Sequence, residues 1–194
     1  MSTALQRITV SDYLRRERES ETKHEFYDGE IFEMSGGSPR HSKITANFIV
    51  EAGVATRTGP CDIHSGDLKC KIEATGLYTY SDASIYCEPL RIDADDPAGH
   101  TATNPTVLVE VLSGSTEEYD PGTKAYHYRQ ISSLTDLLLI PQARPQIEHY
   151  IRRDSDRWEI VDIKDVESVV RLTGPQIELS VAAIYRGIEF DTPA

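Results

Sequence analysis

The chain has 194 residues, of which 39% are hydrophobic and 27% are charged, a composition typical of one globular domain spanning residues 1–194. Its formal net charge of −12 disfavours tight non-specific binding of nucleic acid, because such binding depends on basic side chains that contact phosphates. No apolar run approaches the roughly 20 residues that a membrane span needs, and residues 1–7 lack the apolar segment of a secretory signal. We therefore expect a cytoplasmic protein without a membrane partner.

The three cysteines, Cys61, Cys70 and Cys87, are odd in number and show no Cys-x-x-Cys spacing. This pattern suits a reducing compartment and disfavours a structural zinc site. We expect these side chains to be reduced and to pack in strands or in the core.

The first part of the chain predicts two helices on either side of a β-hairpin. The first helix is expected over 10–19. The dipeptide Asp28-Gly29 then separates two alternating runs within 24–34, which is a strong hairpin signal. A second helix is expected over 39–56, because Ser38 is a good N-cap, a proline suits the first turn and apolar residues recur at helical spacing.

The middle of the chain predicts strands. Two are expected over 61–72 and 77–87, joined by a turn at 74–76. The polar and acidic segment 91–104 is expected to be a solvated loop. The nearly continuous apolar run 106–112 predicts a central strand that is buried on both faces.

The remaining segments complete a mixed architecture. A third helix is expected from Pro121 to about Ile131 with Asp120 as its N-cap, followed by a buried strand over 137–140. A strand meander over 147–172 and a short last helix capped by Ser180 follow. This order predicts an α+β fold with a mixed β-sheet flanked by helices, not a regular βαβ array.

Two acidic residues lie inside apolar, strand-like runs, and a lysine follows on a predicted helix. Glu110 lies in the run 106–112, where a buried carboxylate is costly unless a partner compensates its charge. Asp82 lies in the predicted strand 77–87. On neighbouring strands these carboxylates would repel each other unless a cation lay between them, and oxygen ligands suit Mg²⁺ or Mn²⁺. Lys124 could stabilise an anionic transition state there, and Tyr128 lies one helical turn on.

Each of these residues also has a purely structural interpretation. Glu110 can face solvent or pair with an arginine such as Arg129 or Arg144. Asp82 can lie on a solvated strand face, and Lys124 on an exposed helix face. Under that interpretation the chain is a structural or interaction protein.

Five motifs, spread over almost the whole chain, are specific when they occur together. They are 24–31 (HEFYDGEI), 34–41 (MSGGSPRH), 76–82 (GLYTYSD), 104–113 (NPTVLVEVLS) and 115–124 (STEEYDPGTK) continuing to Tyr128. With these motifs the chain resembles the Uma-two-type restriction endonuclease family, a branch of the PD-(D/E)XK nuclease superfamily. The resemblance implies a restriction-endonuclease-like core.

The resemblance also implies a set of site residues. Asp82 matches the metal-binding aspartate of the superfamily, and Glu110 matches its second acidic ligand. The superfamily usually places a lysine two residues after that acid, where this chain has Leu112, and the family pattern moves the lysine to Lys124. A backbone carbonyl near Val111 is expected to complete the ligands of a Mg²⁺ ion, with Mn²⁺ as the alternative.

Further positions match the family less specifically. Glu25 matches an accessory acid near the N-terminus. His41 and Asp67 match recurrent positions, and His41 or Glu25 could assist proton transfer or bind a second metal. Ser81 and Gly114 stand where the family usually has proline, and both changes affect backbone shape instead of ligands.

The function implied by the resemblance is metal-dependent hydrolysis of phosphodiester bonds in DNA. A homodimer is also expected, because duplex cleavage needs two cuts and symmetric dimers are the commonest oligomers. The displaced lysine and the acidic net charge favour one alternative, a nuclease fold that binds nucleic acid or protein without cleaving it.

Overall fold

The computed structural model of the chain describes residues 7–112 and 121–190. Asp120, the predicted cap of the third helix, lies outside these residues. The described part contains four helices: α1 (Val10–Glu19), α2 (Pro39–Thr56), α3 (Pro121–Tyr128) and α4 (Val181–Ile184). It contains thirteen strands: β1 (His24–Tyr27), β2 (Glu30–Glu33), β3 (Asp62–Ser65), β4 (Lys69–Ile72), β5 (Leu77–Thr79), β6 (Ala83–Tyr86), β7 (Thr101–Ala102), β8 (Val107–Leu112), β9 (Asp136–Pro141), β10 (Ile147–Arg152), β11 (Trp158–Ile163), β12 (Val169–Leu172) and β13 (Ile177–Ser180).

These strands form three sheets and confirm the predicted α+β class. A six-stranded sheet has the order β11-β10-β9-β8-β6-β3, and a five-stranded sheet has the order β2-β1-β5-β4-β7. Strands β12 and β13 form a separate pair. The large sheet is mixed, because β8 runs parallel to β9 and antiparallel to β6.

The capping residues explain why the first two helices begin where the sequence predicts. The Thr9 hydroxyl accepts a hydrogen bond from the Asp12 N–H at 3.1 Å, and the Ser38 hydroxyl accepts one from the His41 N–H at 3.1 Å. The hairpin turn also has its expected geometry. Asp28 and Gly29 have φ values of 48° and 82°, the left-handed pair that a tight two-residue hairpin needs.

The two long strands predicted in the middle of the chain are each broken. The segment predicted as one strand over 61–72 contains β3 and β4, which a turn separates. The segment 77–87 contains β5 and β6, and residues 80–82 lie between them. The strand break falls at the candidate metal ligand Asp82, so the predicted strand 77–87 does not run through this position.

The acidic segment 91–104 is not the solvated loop that its composition predicts. Asp93 and Asp96 are both buried. Asp93 accepts hydrogen bonds from Lys71 Nζ at 2.7 Å and from the Tyr78 hydroxyl at 2.8 Å. Asp96 accepts one from the Thr101 hydroxyl at 2.7 Å. These partners offset the cost of burying the carboxylates and anchor the segment to the five-stranded sheet.

The expectation of three reduced cysteines is wrong in this structure. Cys61 and Cys87 form a disulfide, and Cys70 is buried as a free thiol. The pairing follows from strand register, because Asp62 lies opposite Tyr86 in the β3–β6 ladder and the two cysteines are the next residues outward.

Two apolar cores cover the two faces of the large sheet. Helices α2 and α4 pack on one face, where Phe48 and Ala52 meet Val107 and Val109. On the other face, Leu108 of β8 packs with residues of α3 and of the five-stranded sheet. The face that holds Leu108 also carries Glu110, since alternate strand residues share a face. No helix in residues 7–112 and 121–190 has the length and apolar character needed to cross a membrane.

The first testable prediction concerns a buried carboxylate far from the candidate site. Asp136 is completely buried and accepts hydrogen bonds from His149 Nε2 at 2.8 Å and from the Gly174 N–H at 3.0 Å. Burial alone would raise the pKa of Asp136, but these bonds hold it below its ordinary value. We expect Asp136→Asn to cost about 3–5 kcal/mol of unfolding free energy, measured by urea denaturation.

The pH dependence of this effect follows from its sign. The pKa of an aspartate carboxyl in the unfolded chain is roughly 4, and the pKa of Asp136 in the folded protein is lower. The ionised Asp136 therefore stabilises the fold at a pH above roughly 4, and this stability is lost as the pH falls through the folded pKa. The exposed residue Asp62 provides the control, because Asp62→Asn removes the same charge at a cost of at most about 0.5 kcal/mol. Equal costs for the two variants would contradict the prediction.

The second prediction concerns the thiols. Alkylation of the unfolded chain without reductant should label one cysteine, Cys70. Alkylation after reduction should label all three cysteines, and mass spectrometry counts the labels in both samples. Three labels without prior reduction would show that Cys61 and Cys87 are not joined.

Candidate active site

The candidate site begins where β6 and β8 separate. The Asp82 N–H still donates to the Val109 carbonyl at 2.9 Å, as in the ladder. One step further along β8, the Val111 N–H donates at 2.6 Å to the side-chain Oδ2 of Asp82, not to a backbone carbonyl. The Asp82 carboxylate therefore takes the place of a strand partner, and its position is set by the backbone of β8.

Glu110, the second carboxylate, points toward helix α3. Its Oε1 lies 3.0 Å from Lys124 Nζ and accepts a hydrogen bond from the Tyr128 hydroxyl. Lys124 and Tyr128 are four residues apart and so share one helix face. The Glu110 side chain is only 13% exposed, and these two donors supply the partners that a buried carboxylate needs.

Glu25 of β1, in the five-stranded sheet, also contacts Lys124. Its Oε1 lies 3.1 Å from Lys124 Nζ and accepts a hydrogen bond from the Thr79 hydroxyl. The Lys124 ammonium also donates to the Tyr80 carbonyl at 3.4 Å. One ammonium group thus joins both sheets through helix α3.

His41, in the first turn of α2, holds Asp82 from the other side. Its Nε2 lies 3.1 Å from Asp82 Oδ2, and the imidazole must donate here because an ionised carboxylate only accepts. The ring fits because residue 37 is glycine: a Cβ on Gly37 would lie 2.4 Å from His41 Nδ1. The Gly-Gly turn before α2 therefore makes room for this contact.

These groups open onto a cavity of about 1050 Å³. Its lining includes the functional groups of the cluster and one wall made by the end of the hairpin. The polar groups are Glu25, His41, Asp82, Glu110, Lys124 and Tyr128, and the wall comprises residues 31–37. The sequence-predicted acids, lysine, histidine and tyrosine thus meet in one place.

The pKa values of the cluster reflect burial and opposing charges. Burial raises the pKa of Glu110 to about 7, and the Asp82 charge adds to this rise, whereas Lys124 acts against it. Burial lowers the pKa of Lys124, but Glu110 and Glu25 more than reverse that effect and hold it above its ordinary value. The hydrogen bond to Asp82 raises the pKa of His41 against the opposing effect of burial.

Asp67 is the predicted accessory residue that the structure does not bring into the cluster. It lies in the exposed turn between β3 and β4 and pairs with Lys23 at 2.6 Å. In the described part of the chain, arginines do not neutralise the strand acids either. Arg129 donates to the Ala125 carbonyl, Arg144 donates to Gln146, and Glu110 pairs with Lys124 inside the cavity.

The donor set available to a metal is small. Among the described residues, no group of three or more His, Cys, Asp or Glu side chains could hold a metal ion. Asp82 and Glu110 offer two carboxylates. The Val111 carbonyl points to the same strand edge as its N–H, and hence toward Asp82. Such a set fits Mg²⁺, which is commonly held by one or two carboxylates and completes its shell with water and substrate phosphate.

The sequence does not indicate two contacts that support the cluster around Lys124. Thr79 orients Glu25, and the Tyr80 carbonyl accepts from the ammonium. A polar side chain in the otherwise apolar start of the segment 77–87 was the available signal. This signal is weak, because threonine suits either face of a continuous strand.

The fold has a solved counterpart. A protein from Anabaena variabilis ATCC 29413, described as "a putative nuclease belonging to DUF820", matches 92% of this chain and 97% of its own with a TM-score of 0.74. Sequence identity is 15%, so this likeness concerns the fold alone. Together with the cluster of two acids and a lysine, it defines a protein with a nuclease-like fold.

The sequence comparisons identify the family. The Uma2 family model, described as "Putative restriction endonuclease", matches residues 10–182, and the chain belongs to this family. Two relatives come from Synechocystis sp. (strain ATCC 27184 / PCC 6803 / Kazusa). Uncharacterized protein slr1290 is 33% identical over 189 residues, 97% of each chain. Uncharacterized protein sll1609 is 30% identical over 156 residues, 80% of this chain and 87% of the relative.

The third prediction tests the electrostatics of the cluster. Lys124→Met removes the cation that opposes the other effects on Glu110, so the pKa of Glu110 should rise above about 7. The pKa can be measured by NMR titration of protein labelled at the glutamate carboxyl carbons. Lys23→Met removes the exposed partner of Asp67 and should leave the Glu110 pKa unchanged. An unchanged Glu110 pKa in Lys124→Met would show that the ion pair does not form.

Proposed function

We propose that this chain is a metal-dependent endonuclease that hydrolyses phosphodiester bonds in DNA. The observation that carries the proposal is the meeting of Asp82, Glu110 and Lys124 at one end of a cavity, where β6 and β8 separate. Two carboxylates beside a half-buried lysine form a site that can hold a divalent cation and face a phosphate. Membership of the Uma2 family supports the same reaction class.

Asp82, Glu110 and the Val111 carbonyl would hold Mg²⁺ or Mn²⁺. A bound ion would supply Lewis-acid polarisation of the scissile phosphate and a water of lowered pKa. The protein contributes the fixed positions of its ligands. The Val111 N–H holds Asp82 Oδ2 at 2.6 Å, and Tyr128 donates to Glu110, so a hydrogen bond fixes the position of each carboxylate.

Lys124 supplies positive charge for the phosphate. Its pKa lies above the ordinary value, because two carboxylates outweigh the effect of burial, and its ammonium is therefore charged at neutral pH. In a largely buried site this charge can stabilise the negative charge that develops on the phosphate oxygens. Glu25 and the Tyr80 carbonyl keep the ammonium beside Glu110. The lysine thus reaches the site from α3, whereas position 112 of β8 is leucine.

His41 orients the first carboxylate. Its Nε2–H donates to Asp82 Oδ2, the same oxygen that accepts from Val111, so two donors hold that oxygen. The hydrogen bond to Asp82 raises the pKa of His41, and this imidazole can also give a proton to a leaving oxygen. We assign His41 both roles.

The proposal includes a homodimer and a cellular location. A symmetric homodimer would bring two sites to the two strands of a duplex. The predicted cytoplasmic location has one observation against it, the Cys61–Cys87 disulfide, because disulfides are rare in reducing compartments.

The fourth prediction tests the activity. The wild-type protein with Mg²⁺ or Mn²⁺ should convert supercoiled plasmid to the nicked form, and EDTA should stop the reaction. Asp82→Ala and Glu110→Ala should each reduce the rate by at least roughly 10²-fold, and Lys124→Ala by roughly 10²–10³-fold. Gel densitometry over time gives the rates.

Asp67 provides the matched control for this experiment. It is a carboxylate at a position that recurs in the family, but it lies outside the cluster, so Asp67→Asn should nick at the wild-type rate. Equal nicking by the wild type, Asp82→Ala and Glu110→Ala would contradict the proposal.

A nuclease fold that binds without cleaving is the second candidate, and a specific observation favours it. Lys124 is already engaged by two carboxylates, which reduces the positive charge available to a phosphate. Calorimetric titration with Mn²⁺ separates the candidates. Binding that Asp82→Ala abolishes supports the endonuclease, whereas no binding together with no nicking supports the second candidate.

A further inference from the structure

An exposed aromatic side chain stands next to the candidate site. In the β1–β2 hairpin, Glu25 lies opposite Phe32, and Phe26 lies opposite Ile31. Residues directly opposite each other in an antiparallel pair share one face of the sheet. Phe26 and Ile31 pack into the apolar cluster beneath the hairpin. Phe32 therefore stands on the other face, beside the Glu25 carboxylate that contacts Lys124.

Phe32 has a strand neighbour on one side only, because β2 is the edge strand of its sheet. It is 42% exposed and lines the cavity, together with Met34 on the same segment. A large aromatic group left open to solvent inside a cavity is typical of a ligand-binding wall. The same cavity holds Asp82 and Glu110, so a ligand on Phe32 is adjacent to the proposed reaction centre.

The charges of the cavity argue against binding driven by phosphate neutralisation. Three cationic or titratable basic groups occur in its described lining, and each already has an acidic partner. Lys23 pairs with Asp67, His41 with Asp82, and Lys124 with Glu110 and Glu25. The chain as a whole carries a net charge of −12. Sequence-independent affinity for a duplex comes mainly from unpaired basic side chains, and this cavity supplies few.

The size of the cavity also favours a small ligand over a duplex. A volume of about 1050 Å³ is just above the roughly 300–1,000 Å³ typical of small-molecule pockets. Such a space admits an unstacked nucleotide, as in enzymes that take a base out of the duplex. Base stacking on an aromatic ring gives affinity that does not depend on basic residues.

We propose that Phe32 is a stacking platform for an unpaired base, and that the substrate class of this site is single-stranded nucleic acid or a splayed nucleotide. The inference rests on the proposed function, because it assumes that the phosphate beside the stacked base faces Asp82 and Glu110. The base lies against Phe32 and the backbone passes the carboxylates. Affinity then comes from stacking more than from charge.

Binding without catalysis tests this inference. The full chain in EDTA is titrated against fluorescein-labelled oligothymidylate, alone and annealed to oligoadenylate, and anisotropy gives the dissociation constants. We expect the single strand to bind more tightly than the duplex. Phe32→Ala should weaken single-strand binding by about 5- to 150-fold, and Phe32→Trp should retain it.

Tyr126 supplies the matched control. It is an exposed aromatic residue on α3 outside the cavity lining, so Tyr126→Ala should bind like the wild type. The inference is overturned if the wild type does not bind the single strand, or if the duplex binds as tightly. It is also overturned if Phe32→Ala binds like the wild type, or if Phe32→Trp is as weak as Phe32→Ala.

The experiment separates this inference from the proposed function. The binding measurement in EDTA involves no cleavage. If the protein does not nick plasmid but Phe32→Ala weakens its single-strand binding, the endonuclease proposal is wrong and the stacking surface is supported. If the protein nicks plasmid and the nicking requires Asp82 and Glu110, but Phe32→Ala binds the single strand like the wild type, only the stacking inference is wrong.

Discussion

The hydrogen bond from the Val111 N–H to Asp82 Oδ2 is the contact on which the site depends. It closes the β8 edge at the point where β6 has already left the ladder, so the two strands can separate without an unsatisfied backbone donor. The separation opens the cavity, and the same bond fixes one carboxylate at its mouth. The opening of the sheet and the placement of the first acid thus have one physical cause.

The buried ammonium of Lys124 has a comparable role on the other side of the cavity. It joins Glu110 of the large sheet to Glu25 of the smaller sheet, and all three side chains are largely buried. Removing Lys124 would leave both carboxylates without their cation, which is costly because buried charges need partners. The arrangement explains how a lysine on a helix can occupy a site whose strand position 112 is leucine.

Much of the fold could be predicted from local signals, whereas Glu25 and His41 of the cluster were indicated only by the family resemblance. Capping residues set the starts of α1 and α2, and the apolar run around Glu110 predicted a buried strand. The errors have a common reason, because long-range partners have no local signature. The break between β5 and β6, the paired Asp93 and the Cys61–Cys87 disulfide all depend on segments distant in sequence. The pairing of Glu25 with Phe32 is local by contrast, because the two-residue turn at Asp28-Gly29 fixes the hairpin register.

The most direct measurement is a crystal structure of the protein soaked with Mn²⁺, with anomalous data collected to locate the ion. A metal site built by Asp82 and Glu110 predicts an anomalous peak that contacts both carboxylates, with Lys124 still beside Glu110. Well-ordered density for Asp82 and Glu110 with no peak between them would contradict it.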